Sequence, residues 1–233
     1  MTQPTKAESL ETVSLVAKSL KELVHEVVFV GGSSAAFLIT DEDIVSVRAT
    51  LDVDIIVELI NRPDYYRFQE RLFELGFKPD PDGPQCRFTV AGITVDVMPD
   101  DEKILGFSNQ WYTAAIESAQ EHTLDDIAIR VVSAPLFLAT KLEAFHGRGN
   151  RDYMGSHDIE DLVAVIDGRP SIVKDCFDAS ADVKSYLKDN FSILLADGDF
   201  LNTLPGLVDQ DGGSGRAQII RQRLQGLVST LRA

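Results

Sequence analysis

The sequence predicts a mixed α/β (α+β) protein, with a mixed sheet and flanking helices in the first half and helices alone in the second. The first indication is Val27–Val30, an apolar run that ends in Gly31 and Gly32, as a buried strand does when it enters a tight turn. The second is a series of β-rich runs at residues 51–59, 86–90, 93–98 and 127–132. The third is the helical character of the sequence after Pro135. We therefore expect an α/β core over residues 1–133 and a helical region over residues 134–233 that completes the active site.

The remaining elements follow from local signals along the chain. Apolar residues at helical spacing predict a helix over residues 10–24, and another follows the glycine turn over residues 33–39. Pro63 opens a helix over residues 64–75, which Gly76 ends. Ala91 and Gly92 predict a hairpin between two of the strands. In the second half, a helix over residues 135–145 comes first, and breaks are expected at residues 147–155, 168–170, Pro205 and 211–215.

The composition is that of a soluble globular protein, with 44% hydrophobic and 25% charged residues in a chain of 233. No apolar run approaches the roughly 18–20 residues needed to cross a bilayer, and residues 1–11 lack the order of a secretory signal. Cys86 and Cys176 have no metal-binding spacing, which indicates free thiols in a reducing compartment. We therefore expect a cytoplasmic protein without a membrane partner or a structural zinc site.

The net charge of −15 restricts the class of partner. A protein that holds a long nucleic acid by neutralising phosphates normally carries an excess of basic residues. The charge is uneven, however, because residues 215–233 carry four arginines and no acidic residue. A local phosphate contact therefore stays open, whereas an extended nucleic-acid track is not expected.

Three aspartates are the candidate metal ligands. Asp52 and Asp54 stand two apart in a predicted strand, so both carboxylates project from the same face. Asp96 lies between two valines of a later strand, out of pattern for a core strand. Such a group of carboxylates repels itself unless it holds a cation, and Mg²⁺ prefers hard oxygen ligands. The alternative is that Asp52 and Asp54 lie on the solvated face of an edge strand.

The turn after the first strand argues against that alternative. Gly31 and Gly32 permit a tight turn and a close approach of the backbone to an anion, while Ser33 and Ser34 add hydroxyl donors at the start of a helix. Gly-Gly-Ser alone is a weak signal. Combined with Asp-x-Asp on the next strand and a third Asp on a later one, it indicates a site for a triphosphate and its metal.

In this order, the residues resemble the nucleotidyltransferase fold shared with polymerase beta. Arg48-Ala49-Thr50-Leu51-Asp52-Val53-Asp54 is similar to the Arg-x-Thr-x-Asp-x-Asp of the AbiEii/AbiGii-type nucleotidyltransferases, best known as toxins of toxin–antitoxin pairs. Two later segments resemble the same family, Lys141-Leu142-Glu143-Ala144 and Asp158-Ile159-Glu160-Asp161-Leu162. The resemblance spans residues 27–165.

The resemblance implies transfer of a nucleoside monophosphate from a nucleoside triphosphate such as ATP, with release of pyrophosphate. Asp52 and Asp54 would bridge two ions of Mg²⁺ or Mn²⁺, and Asp96 would bind the catalytic ion or act as a base. The residues implied to hold the nucleotide are Gly31, Gly32, Ser33, Ser34, Arg48 and Lys141. Lys141 and Asp161 are also implied to be catalytic, since Lys141 would meet the charge that develops on the phosphates and Asp161 would orient Lys141 or an arginine.

Several of these residues have simpler explanations. Lys141 could be a surface lysine with its stem against apolar neighbours. Arg148 and Arg151 form either a basic lip over the triphosphate or an ordinary loop. Asp158 lies near the start of a helix that Ser156 could cap, and there an acidic residue favours the helix dipole regardless of function.

The acceptor stays open at this point. The leading hypothesis is RNA, such as a tRNA end, or a protein side chain, with an antitoxin as a possible partner. The acidic charge instead favours a small cationic acceptor, as in enzymes that modify aminoglycosides. A third hypothesis is a nucleotide-binding protein on this fold that has lost catalysis, although all three carboxylates are present.

Overall fold

The computed structural model describes residues 5–44, 48, 50, 52–59, 61–208 and 214–231. The chain divides into two compact units. The sheet unit comprises Met1–Phe37 and Val45–Ser133, and the helical unit comprises Leu38–Ile44 and Ala134–Ala233.

The sheet unit is built on seven strands. They are β1 (Val27–Val30), β2 (Asp52–Val57), β3 (Lys78–Pro79), β4 (Arg87–Val90), β5 (Ile93–Pro99), β6 (Gln120–Leu124) and β7 (Ile127–Val131). Their order across the sheet is β3-β4-β5-β2-β1-β7-β6. The pairs β2–β5 and β1–β7 are parallel and the others antiparallel, so the sheet is mixed, and the predicted fold class is confirmed.

The sheet unit also contains five helices, which are interspersed with the strands along the chain. They are α1 (Lys6–Leu20), α2 (Ala35–Leu38), α3 (Arg62–Glu74), α4 (Glu102–Leu105) and α5 (Tyr112–Glu117), with 3₁₀ turns at Lys21–His25 and Gly32–Ser34. The first helix begins earlier than predicted because Thr5 and Glu8 form a capping box. The predicted helix over residues 33–39 is a 3₁₀ turn followed by only four helical residues.

The central strands lie in the core of the sheet unit. All four residues of β1 are buried, and Val53 and Ile55 of β2 are fully buried as well. Helix α3 contacts the sheet through the Tyr65 hydroxyl, which donates to the carbonyl of Val97 at 3.1 Å. Polar side chains on β2 and β5 are therefore held on a rigid frame.

The helical unit contains α6 (Ala134–Arg148), α7 (His157–Gly168), α8 (Ile172–Phe177), α9 (Ala181–Ala196), α10 (Gly198–Val208) and α11 (Ser214–Thr230). Ser156 caps α7 as predicted, because its hydroxyl accepts from the backbone N–H of Ile159. In the described part of the chain, no helix is long and apolar enough to cross a membrane.

Three of the predicted helix breaks differ from the structure, one entirely and two at one end. The break at Pro205 is wrong, since Pro205 lies inside α10, where the burial of Phe200 and Leu204 offsets the cost of a proline in a helix. Helix α6 continues through Gly147 to Arg148. The predicted break at residues 211–215 lies partly outside the described residues, and α11 already includes Gly215.

The segment Leu38–Ile44 belongs with the helical unit rather than with the sheet that precedes it. The backbone N–H groups of Thr40 and Asp41 both donate to the carbonyl of Gly168, at 2.8 and 2.9 Å. Arg216 of α11 also donates to the Asp41 carboxylate at 3.2 Å. These bonds attach the segment to the ends of α7 and α11.

Candidate active site

The register of the sheet places the three predicted metal ligands on one face. Asp54 on β2 lies opposite Asp96 on β5, and Asp52 precedes Asp54 by two residues. Residues that pair directly across neighbouring strands point to the same side, as do residues i and i+2 of one strand. The three carboxylates therefore project together, as the sequence predicts.

The side chains converge closely enough to share a cation. One carboxylate oxygen from each of Asp52, Asp54 and Asp96 lies within 4.8 Å of the other two. We call these residues the acidic triad. Asp96 is the most enclosed, with 12% of its side chain exposed against 38% for Asp52. Three hard oxygen donors that open to solvent on one side suit Mg²⁺ or Mn²⁺, which keep places for phosphate and water.

A glycine packs directly against the triad. Gly31 follows β1 with φ +68°, a conformation that L side chains rarely adopt. A Cβ atom added at Gly31 would lie 1.8 Å from Oδ2 of Asp54. The contact follows from the sheet, because Val30 is the partner of Asp54 on the neighbouring strand. The close approach of backbone to carboxylate therefore requires glycine at this position.

The two serines after the turn face inward. The hydroxyl of Ser34 donates to the carbonyl of Gly31 at 2.8 Å and is fully buried, so that it closes the turn. The hydroxyl of Ser33 donates to the carbonyl of Val30 at 3.4 Å. Ser33 also lines a cavity of about 60 Å³, together with Thr50 and Asp52 and with three residues of α1, Glu8, Ser9 and Thr12. Of the two serines, Ser33 is the one that lines this cavity.

Thr50 is a site residue to which the sequence assigned no role. Its hydroxyl is buried and finds no hydrogen-bond partner among the described residues. A buried hydroxyl without a partner costs free energy, so an unpaired one at a cavity indicates a ligand that would complete it. Arg48, predicted to bind the nucleotide, lies half-buried four residues before β2, and its contact with a nucleotide stays a prediction.

Arg87 is the second residue missing from the sequence prediction. On β4 it pairs with Asp96 of β5, and its Nε and Nη2 donate to the two oxygens of Asp96, both at 2.8 Å. Its Nη2 also lies 4.0 Å from Oδ2 of Asp52. The hydrogen bonds to Asp96 raise the pKa of Arg87 above its already high usual value. The pairing of Arg87 with Asp96 could have been predicted from the hairpin turn, because a two-residue loop at residues 91–92 places residue 87 opposite residue 96.

The arginine leaves room for a cation on Asp96. A carboxylate offers about four lone-pair sites, and a bidentate guanidinium takes one on each oxygen. The second lone pair of each oxygen stays available. The residues present therefore fit a divalent cation, with Arg87 as a neighbour of the site.

The helical unit brings together the other predicted catalytic residues. Nζ of Lys141 lies 2.7 Å from Oδ2 of Asp161 and 3.1 Å from Oδ1 of Asp158. Lys141 is only 7% exposed, so its interpretation as a surface lysine is wrong. Burying an ammonium requires compensating charge, which the two carboxylates of α7 supply.

Asp158 has more than a helix-dipole role. Its carboxylate is buried and also accepts two hydrogen bonds from Arg148, at 2.8 and 2.9 Å. Burial alone would raise the pKa of Asp158, but the hydrogen bonds and positive charges of Arg148 and Lys141 outweigh it and hold the pKa below its usual value. Arg148 is thus part of an ion network at the end of α6 and the start of α7. Arg151 follows in a turn with φ +60°.

No protein-family model and no curated protein matches the sequence. Among solved structures, the chain is similar to an antigenic nucleotidyltransferase-like protein from Paracoccidioides brasiliensis, with 15% identity, a TM-score of 0.52, and coverage of 87% of this chain and 94% of that one. It is also similar to JHP933 from Helicobacter pylori, with 12% identity, a TM-score of 0.50, and coverage of 96% and 93%. At these identities the likeness shows only that the chain shares a fold with these two proteins. It does not extend to the AbiEii/AbiGii subtype.

Proposed function

We propose that the protein is a metal-dependent nucleotidyltransferase. The observation that carries the proposal is the row formed by Asp54 and Asp96 on adjacent parallel strands, completed by Asp52 on the same face. The glycine turn after β1, in contact with Asp54, adds backbone donors beside these carboxylates. A fold shared with a nucleotidyltransferase-like protein supports the same reaction class.

In the proposed reaction, an acceptor hydroxyl attacks the α-phosphorus of a nucleoside triphosphate. A bond forms between the acceptor oxygen and that phosphorus, the bond to the bridging oxygen breaks, and pyrophosphate leaves. Bound divalent cations would activate the hydroxyl and neutralise the charge that develops on the phosphates. Asp52 and Asp54 would hold these cations between them. The proton of the acceptor hydroxyl passes to a base or to water.

The pair with Arg87 bears on whether Asp96 would act as a metal ligand or as a base. Both of its oxygens accept hydrogen bonds from Arg87. The guanidinium takes one lone pair on each oxygen and leaves the second one open, and the direct pairing with Asp54 directs this carboxylate toward a shared cation. Of the two roles that the resemblance implies for Asp96, we therefore favour that of a metal ligand.

The phosphates are proposed to contact the turn that follows β1. The backbone N–H groups of Gly31 and Gly32 and the hydroxyl of Ser33 are donors near the triad. Thr50 adds a buried hydroxyl in the same cavity as Ser33 and Asp52. A phosphate oxygen or a metal-bound water would give this hydroxyl the partner it lacks among the described residues. Because Ser33 lines this cavity and Ser34 is fully buried, we assign Ser34 to the turn rather than to the nucleotide.

Lys141 is proposed as a further contact of the nucleotide, oriented by Asp161. Its ammonium is held by two carboxylates within the helical unit. A phosphate group could replace one of these partners without leaving the lysine unpaired. We base this assignment on the AbiEii-like sequence pattern around Lys141 and Asp161.

For the acceptor, we propose RNA, such as a tRNA end, or a protein side chain, in keeping with the AbiEii/AbiGii-like motif. In that case the protein would be the toxin of a toxin–antitoxin pair. A small cationic acceptor is the second candidate, because a net charge of −15 attracts cations and repels a polyanion.

The proposal is tested by following label from each nucleoside triphosphate, with Mg²⁺ or Mn²⁺, onto total RNA, onto protein and onto a panel of aminoglycosides. Asp54→Asn removes one ligand of the triad, and Asp82→Asn, on an exposed turn of the same unit, is the matched control. Transfer that needs the cation and Asp54 but not Asp82 supports the proposal. Tight triphosphate binding without transfer to any acceptor would instead indicate a nucleotide-binding protein.

A further inference from the structure

Arg87 stands among the residues proposed to hold the cation, yet it carries a positive charge. The triad has three carboxylates, a formal charge of −3, on one face of the sheet. Arg87 reduces this charge to −2 through its bidentate pair with Asp96 and its approach to Asp52. Its side chain is 31% exposed and that of Asp96 only 12%, so water screens this group incompletely.

The sheet fixes this arrangement. Arg87 and Asp96 are direct partners of an antiparallel pair, and Asp96 and Asp54 are direct partners of a parallel one. The guanidinium therefore lies at the end of the row of carboxylates, opposite the side where Gly31 contacts Asp54. A cation between Asp54 and Asp96 would have the guanidinium as a neighbour on the far side of Asp96.

We propose that Arg87 is the resident counter-ion of the acidic triad. Arg87 neutralises Asp96 while no cation is bound, and a divalent cation must bind against the positive charge of Arg87. This inference rests on the proposed metal site. It goes further by assigning to Arg87 the control of the affinity of that site for a free cation. Arg87 is a positioning residue and not a catalytic one, since it acts through Asp96.

Two effects of Arg87 on cation binding oppose one another. Its hydrogen bonds hold the carboxylate of Asp96 in place, which would favour binding, and its charge repels the cation, which disfavours it. The backbone already fixes Asp96, because β5 pairs on both sides, with β2 and with β4. The charge effect therefore prevails, since two cations on one carboxylate repel strongly in a partly buried site.

The test measures Mn²⁺ affinity by calorimetry or electron paramagnetic resonance on the full chain without nucleotide. Arg87→Gln removes the charge, Arg87→Lys keeps it without the planar fork, and Asp54→Asn removes a ligand. Arg71→Gln is the matched control, because Arg71, on α3, also makes a bidentate pair with a carboxylate, that of Glu26. Thermal unfolding with and without Mn²⁺ gives a second readout.

We expect Arg87→Gln to bind Mn²⁺ about tenfold more tightly than the unaltered protein. Arg87→Lys and Arg71→Gln should bind it as the unaltered protein does. Without the ion, Arg87→Gln should unfold at a lower temperature than Arg71→Gln, and Mn²⁺ should reverse the difference. If Arg87→Gln does not fold without the ion, Mn²⁺ should restore its circular dichroism spectrum.

The opposite results overturn the inference. Unchanged or weaker binding by Arg87→Gln, with binding still lost in Asp54→Asn, would leave the metal site standing and reject the role of Arg87. An Arg87→Gln protein that stays unfolded with Mn²⁺ present would reject it too. An absence of Mn²⁺ binding in every variant would reject both the counter-ion and the metal site of the proposed function.

Discussion

The space that a side chain at Gly31 would need is occupied by the carboxylate of Asp54. The distance from a Cβ atom at Gly31 to Oδ2 of Asp54 would be 1.8 Å, and the backbone of Gly31 has φ +68°. Two separate constraints therefore require glycine, one from the backbone and one from the acid on the next strand. The turn and the proposed metal ligand form one structural unit.

Gly31→Ala should reduce the unfolding free energy and the transfer rate much more than the same change at a glycine that has a positive φ but no close neighbour. Gly92→Ala is the control, since Gly92 has φ +80° but nothing within 4 Å of its added Cβ. We expect Gly92→Ala to lose about 1–2 kcal/mol of unfolding free energy and to keep its transfer rate. Gly31→Ala should lose more stability and about 10²-fold in transfer, because it displaces Asp54. Equal effects in denaturant unfolding and transfer assays would show that the contact with Asp54 is unimportant.

Thr50→Val should separate nucleotide binding from stability. Valine has the shape of threonine but lacks the hydroxyl that, among the described residues, has no partner. The unfolding free energy should stay the same or rise by up to about 1 kcal/mol, while triphosphate affinity should fall about tenfold through loss of a bond to a charged group. Thr123→Val, on an exposed position of β6, should change neither quantity. Unchanged affinity in Thr50→Val would remove Thr50 from the proposed site.

Lys141→Met should destabilise the protein by about 3–5 kcal/mol, because it leaves two buried carboxylates of α7 without their shared partner. The double variant Lys141→Met/Asp161→Asn should recover part of this loss, since it also removes one of the two buried negative charges that faced the lysine. Denaturant unfolding gives both values. No recovery in the double variant would mean that Lys141 acts through packing alone.

Triphosphate affinity of that double variant distinguishes the two roles of Lys141. If the lysine only balances Asp161, the double variant should bind triphosphate normally. We expect weaker binding, because the proposed site uses the ammonium. Normal binding would confine Lys141 to the ion network of the helical unit.

The stability of the protein should fall in acid partly through Asp158. The pKa of Asp158 is lower in the folded protein than its usual 3.8. Its contribution is therefore complete above pH 3.8 and is lost as the pH falls through the lower folded value. The unfolding free energy, measured between about pH 5 and pH 2.5, should decrease less steeply in Asp158→Asn than in the unaltered protein. Asp178→Asn, in an exposed pair with Lys174, should keep the steep decrease, and identical slopes in all three would contradict this role of Asp158.

Local rules were enough to predict part of the site. The two-residue period of a strand puts Asp52 and Asp54 on one face, and the hairpin turn at Gly92 sets Arg87 opposite Asp96. Both relations depend on residues close together in the chain. The importance of Arg87 was nevertheless missed, because an arginine in a strand has no distinctive pattern until its partner is considered.

Relations between distant segments could not be predicted in this way. The pairing of β2 with β5 aligns Asp54 with Asp96 across some forty residues, and no turn fixes that register. The ion pairs of Lys141 could not be predicted for the same reason, since its partners lie on the following helix and only the packing of α6 on α7 brings them together. Pro205 shows the converse, where tertiary burial of its neighbours overrides a strong local signal for a helix end.

The most direct test of the central claim is to compare the fate of α- and γ-labelled triphosphate with Mg²⁺ and the acceptor found in the transfer screen. Nucleotidyl transfer predicts that the α-label moves to the acceptor and the γ-label appears in pyrophosphate, both in equal amounts and both lost in Asp54→Asn. Movement of the γ-label to the acceptor would make the protein a kinase, and release of the γ-label as inorganic phosphate alone would make it a hydrolase. Either of these results, or transfer that survives in Asp54→Asn, would contradict the proposed function.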